Sequence, residues 1–163
     1  MTKSQMSNDK SFRKHLVVLL TEGEAHQGFE AVIKDLPPEL RGKRPKGAAH
    51  SPWQLLEHLR IAQWDILEFA RDPKHVSPKF PDGYWPADPE PPNDKAWNKS
   101  AAAFRSDLKA MAELVSDESV DLMTPFAHGD GQTVLRQALL TADHNAYHLG
   151  QFVMLRRLLG AWS

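Results

Sequence analysis

His144 and His148 stand four residues apart in the run Ala142-Asp143-His144-Asn145-Ala146-Tyr147-His148. On a helix that spacing brings both imidazoles to one face, one turn apart, where the pair can chelate a metal. Leu140, Phe152 and Leu155 share that face and turn it inward. His58 lies beside another apolar stripe, between Leu55 and Ala62, and can reach the same interior point. Three neutral imidazoles inside a helical bundle are a ligand set for Zn, Ni or Fe(II) that leaves positions open for water or substrate. The alternative is three hydrogen-bonded core histidines, since no local pattern shows that the two helices face each other.

The elements that must position these residues are marked by proline, glycine and capping residues. A first helix is expected from Lys10 to Leu36, weakened at Gly23 and Gly28 and stopped by Pro37-Pro38. A second begins at Ser51, with Pro52 in the first helical position and Gln54 completing a capping box, and ends at Arg71-Asp72-Pro73. Residues 73–92 hold seven of the chain's twelve prolines and no periodic pattern. At about 3.3 Å per extended residue this crossover can run the length of a helix, so the next helix can lie parallel to the second. Asn93 or Asp94 caps that third helix, with Trp97, Ala101, Phe104, Leu108, Met111 and Val115 on one face. Thr133 caps a fourth that reaches Leu159, ends at Gly160, and reads as apolar on most sides and therefore largely buried. No strand-like alternation interrupts these patterns, and the expected fold is an all-α four-helix bundle occupying residues 1–163 as one domain.

The run from Ala142 to Gln151, continued by Leu155-Arg156-Arg157-Leu158-Leu159-Gly160, resembles the last helix of the DinB-like (damage-inducible, YfiT-like) superfamily. Trp53-Gln54-Leu55-Leu56-Glu57-His58 resembles the start of that family's second helix. The resemblance implies a four-helix bundle of up-down-down-up topology and a divalent metal held by His58, His144 and His148. It also implies an activity class, since characterised relatives include metal-dependent S-transferases and an isomerase that use low-molecular-weight thiols such as bacillithiol, mycothiol or glutathione. A bound metal would lower the pKa of such a thiol. This chain has no cysteine, so any thiol would come from a small molecule. A non-catalytic metal- or ligand-binding stress-response bundle is the competing reading, because no convincing acid or base carboxylate stands beside the histidines. A metal-assisted hydrolase is a third.

Other residues carry weaker signals. Gln54, Gln151 and Tyr147 lie within a turn of the histidines, as surface or packing residues or as partners of the ligands. Asp65, two turns beyond His58, is expected in solvent, with a polar group in the cavity as its second reading. His50 and His128 read as loop residues, and His128-Gly-Asp-Gly-Gln-Thr133 as a turn plus a cap. Arg41, Lys43, Arg44 and Lys46 form a solvated basic linker, and the place to look for an anionic ligand. Phe80, Tyr84 and Trp85 are expected to staple the crossover to the bundle or to join a homodimer contact.

Composition narrows the partners. Twenty Lys+Arg against 21 Asp+Glu give a formal charge of -1, with no overall positive field for nucleic acid. The apolar run Leu16–Leu20 is too short for a signal-peptide core, and no stretch approaches a membrane span. Together with the missing cysteines this reads as a cytoplasmic protein acting on a small molecule.

Overall fold

The computed structural model describes residues 3–23 and 25–162. Five helices carry the fold: α1 (Lys3–Thr21), α2 (Phe29–Ile33), α3 (Pro52–Arg71), α4 (Asp94–Ser116) and α5 (Val134–Leu158), with no strand among the described residues. None is long and apolar enough to cross a membrane.

The caps explain where the long helices begin. Ser51 Oγ accepts from Gln54 N at 3.2 Å while Gln54 Oε1 accepts from Ser51 N at 3.2 Å, closing the expected capping box. Asn93 Oδ1 accepts from Ala96 N at 2.9 Å, and Thr133 Oγ1 from Arg136 N at 3.1 Å. At the far end of α5, Gly160 sits at φ 68°, its N–H bonded to Arg157 O while Ala161 N–H reaches Arg156 O. This is a Schellman stop, and its left-handed residue is the glycine that tolerates it.

The first helical segment differs from expectation. In place of one helix from Lys10 to Leu36, α1 starts earlier and stops at Thr21, and only the short α2 follows. Gly23 takes φ 59° and Gly28 is extended, so the chain turns twice where a continuous helix would need right-handed values. α5 also departs from the all-round burial its composition suggested. Its inward side is covered by α1, α2 and α3, whereas Leu139, Tyr147, Met154 and Leu158 are exposed on a face no helix covers.

α3 packs on α4 and α5, and α1 packs on the same two helices from the other side. One apolar cluster gathers Leu56, Leu59, Phe104 and Phe152, and a second gathers Leu16, Leu67, Met111 and Val115. Buried polar side chains register the helices between them. Gln63 donates to Phe104 O at 2.7 Å, Asn145 donates to Gln63 Oε1 at 2.8 Å, and Gln137 donates to Ile66 O at 3.4 Å.

Arg156 ties the short α2 to the bundle. Its guanidinium is buried and donates to Val32 O at 2.7 Å, Lys34 O at 2.8 Å and Ala161 O at 2.8 Å. Arg156→Met keeps the stem but removes every one of these charged donors. The expected cost is about 3 kcal/mol, since a hydrogen bond from a charged group contributes roughly 1.5–3 kcal/mol. Urea unfolding checks it, and a change within about 0.5 kcal/mol would mean that water replaces the guanidinium freely.

Candidate metal centre

His58 occupies the second turn of α3, facing inward because its stripe neighbours Leu55, Leu59 and Ala62 are buried. His144 and His148 project from successive turns of α5 toward it. The Nε2 of His58 lies 3.1 Å from that of His148 and 3.0 Å from that of His144. One ligand nitrogen from each of the three can be chosen so that all lie within 4.8 Å of one another. Metal–nitrogen bonds of about 2.0–2.1 Å put ligand nitrogens about 2.9 Å apart at right angles and about 3.4 Å apart at the tetrahedral angle. The two spacings from His58 Nε2 fall between those limits.

Protonation makes the arrangement informative. Burial pushes the His58 imidazole down to about 4, against the hydrogen bond to Tyr84 and with help from the charges of His148 and His50. His144 is pushed down to about 3, first by burial and then by His148 and His58, and His148 is lowered chiefly by burial. All are therefore neutral near pH 7. His58 Nδ1 lies 3.0 Å from the backbone oxygen of Tyr84, which can only accept, so Nδ1 carries the proton and Nε2 the lone pair. His148 Nδ1 donates in the same way to Gln151 Oε1 at 3.0 Å. Two lone pairs thus face each other at hydrogen-bonding distance with no hydrogen between them. A cation bound by both relieves that conflict, and the donor set fits a divalent metal. The Nδ1 of His144 is buried without a hydrogen-bond partner.

The segment between α3 and α4 lies against this centre through Tyr84 and Trp85. Trp85 stacks on His58 with ring centroids 3.7 Å apart and 2° between planes, and on its other face meets His50 at 3.8 Å. Gln54 donates to Pro86 O at 3.2 Å, and Ser51 Oγ donates to Pro89 O, so the start of α3 holds the crossover with side chains. Asp65 corrects the solvent-exposed expectation. It is buried at 9% exposure, accepting from Tyr84 Oη at 2.6 Å and pairing with His75 Nε2 at 2.7 Å. The same Tyr84 whose hydroxyl Asp65 holds supplies the carbonyl that orients His58.

The remaining candidates separate clearly. Gln151 is the hydrogen-bond partner of His148 Nδ1, and Gln54 caps α3 and donates to Pro86 O. Tyr147 lays its ring edge against His148 at 4.9 Å. His50 is more than a loop residue, because it stacks on Trp85 beside the site. His128 keeps its loop role, Nε2 lying 2.8 Å from Phe69 O. Arg41 pairs with Asp94 at 2.9 Å and lies over the Trp97 ring, while Lys43, Arg44 and Lys46 are exposed as a solvated linker would be. His75 carried no signal in the sequence, since its partner Asp65 lies ten residues back across a helix end.

A groove of about 600 Å³ opens from His148 along α5, walled opposite by Leu55, Ala48 and Trp85. Comparison with known proteins matches residues 23–152 to the family described as the DinB superfamily. No curated protein and no solved structure matches the chain.

Proposed function

The chain belongs to the DinB superfamily, and from that premise we propose that it is a metal-dependent enzyme, a low-molecular-weight-thiol-dependent S-transferase or isomerase. In this reading His58, His144 and His148 hold one Zn, Ni or Fe(II) ion. The observation that carries it is the convergence of the three imidazoles, two with Nε2 lone pairs fixed by their Nδ1 partners, at the mouth of an apolar groove. The proposed topology is up-down-down-up. Its support is the order of contacts: α3 residues 63 and 66 meet α5 residues 145 and 137, while Trp53 meets Trp97 and Gln63 meets Phe104.

A divalent ion held by His58, His144 and His148 would supply Lewis acidity that lowers the pKa of a small-molecule thiol. The protein's own residues do the rest. Gln151 and the Tyr84 carbonyl hold the protons of His148 and His58 on Nδ1, keeping both Nε2 atoms available. Trp85 covers one face of His58 and excludes water from it. The groove positions the electrophile's body while its reacting end approaches the imidazoles. A chain that lacks thiols of its own cannot be inactivated by reacting with that electrophile at cysteine. Such chemistry suits the cytoplasm, where free small thiols are kept reduced.

The test is turnover of an electrophile such as an aryl halide or epoxide by glutathione, bacillithiol or mycothiol with added metal. Loss of rate with chelator supports the proposal, and a rate indifferent to thiol would favour hydrolysis. A second reading, a non-catalytic metal-binding bundle, is favoured by one observation. The nearby carboxylate of Asp65 is occupied by Tyr84 and His75 and does not face the imidazoles. No turnover with any thiol and metal-replete protein would select it.

Asp65→Ala tests the support of the centre. It frees Tyr84 and His75, loosens the carbonyl that orients His58, and should weaken metal affinity about tenfold, the lower end for outer partners of metal-binding histidines. Competition against a chromogenic chelator measures this. An unchanged affinity would mean that Trp85 stacking alone holds His58.

A further inference from the structure

The groove beside the histidines has a length, a floor and a direction that specify a ligand class. Its α5 wall runs from Tyr147 to Leu158, a rise of about 16 Å along the helix. Polar groups gather at one end, where His148, Gln151 and His50 lie. Beyond them the walls are Met154, Leu155, Leu158 and Leu55. Tyr147 and Met154 are exposed at 64% and 54%, an apolar rim left uncovered among the described residues.

Gly150 marks the floor. Glycine inside a helix is destabilising relative to alanine, yet a Cβ at Gly150 would meet nothing within 4 Å, so no packing contact of this chain requires it. What the missing side chain does is leave open the middle of the groove, between the His148 end and Met154. A volume of about 600 Å³ lies in the range of small-molecule sites, roughly 300–1,000 Å³.

We propose that this groove binds a small molecule with an elongated apolar body, a chain of about eight to twelve carbons or its aromatic equivalent, whose polar reacting head reaches the histidine centre. The inference deepens the metal reading and rests on it for the head group alone. Among the described residues the groove has no cationic side chain in its walls, so the apolar body belongs to the electrophile and a polar anionic thiol approaches from another side.

The experiment titrates Zn-loaded protein with butyl, octyl and dodecyl hydroxamates, heads that bind metal on tails of increasing length, by calorimetry. The matching 1-alkanols are titrated into metal-free protein. Each methylene buried in an open groove should tighten binding about twofold, less than the roughly fourfold of full burial, so octyl should exceed butyl by on the order of tenfold. Gly150→Leu, which fills the floor at a site with room for it, should erase the tail dependence while metal content and butyl hydroxamate binding persist. Met154→Glu, on the rim, should weaken octyl binding without touching the floor.

Tail-independent hydroxamate binding to metal-loaded protein overturns the groove and leaves the metal reading standing. Absence of metal with tail-dependent alkanol binding does the reverse. Tail dependence that survives both substitutions also overturns the proposal. So does a dimer in solution whose dissociation alone permits ligand binding, since a second copy would then be the occupant.

Discussion

His144→Ala is expected to abolish metal binding. Wild-type protein reconstituted with Zn should carry close to one ion per chain, and the variant under about a tenth at the same free metal. The loss corresponds to at least about 100-fold in affinity, the upper end for outer partners of a ligand being a floor for the ligand itself. His58→Ala and His148→Ala should do the same, but His144 is the cleanest position. His58 and His148 leave the Tyr84 carbonyl and the Gln151 amide without their donors, whereas the Nδ1 of His144 has no partner to orphan. A second readout is thermal. Metal at about 100 times its Kd stabilises the native state by about 2.7 kcal/mol, or about 5–10 °C in unfolding midpoint for a chain of this size. That rise should vanish in His144→Ala. A folded variant with wild-type metal content would remove the triad from consideration.

Acid is expected to act on this centre in two ways. Burial, reinforced by neighbouring imidazoles, holds His58 at about 4 and His144 at about 3, and His148 is lowered as well. Unfolded histidines titrate near 6.5. The unfolded chain therefore binds more protons than the native one once pH falls below about 6.5. Stability from keeping these imidazoles neutral is complete above that pH and is lost as pH falls toward about 3. Metal-free protein should lose unfolding midpoint already between pH 6.5 and 5, above the range where most carboxylates titrate. A variant with leucine at His58, His144 and His148 should lose less over that interval.

Metal-loaded protein should behave differently from an ordinary surface histidine site. Protons compete weakly with the ion until pH approaches about 4, so dialysis at pH 5.5 should leave the metal in place and dialysis near pH 4 should remove it. Release centred at pH 6 to 6.5 would mean that the imidazoles titrate as solvated ones.

The elements that came out of the sequence intact are those whose signals act over a few residues. Ser51-Pro52 with Gln54, Asn93, and Thr133 with Gly160 each place a donor or acceptor within three or so positions of the helix end it serves. The first segment escaped the same reading because apolar residues at helical spacing flank residues 22–28 on both sides, and whether Gly23 merely weakens a helix or turns it is a choice of φ that packing makes. The histidine pair was legible because four residues on one helix share a face whatever surrounds them. Its partner was legible as a position beside an apolar stripe and through the family resemblance, but not from local spacing. His58 lies 86 residues from His144, and only the antiparallel seating proposed for α3 and α5 makes them neighbours.

Asp65 shows the limit most plainly. Its type and its place two turns beyond His58 suggested solvent, and what reverses that is Tyr84 and His75, delivered by a crossover with no pattern of its own. The groove is likewise a property of what does not pack against α5, which no periodicity records. Sequence alone determined the capped starts of α3, α4 and α5 and the stop of α5, the all-α class, the absence of any thiol and the shared face of the histidine pair, because these depend on local geometry and composition. The tertiary structure decided that the His58 imidazole meets the pair, which nitrogen of His58 and His148 holds the proton and where a ligand can lie. Those depend on contacts between atoms that only the folded chain brings within 3 Å.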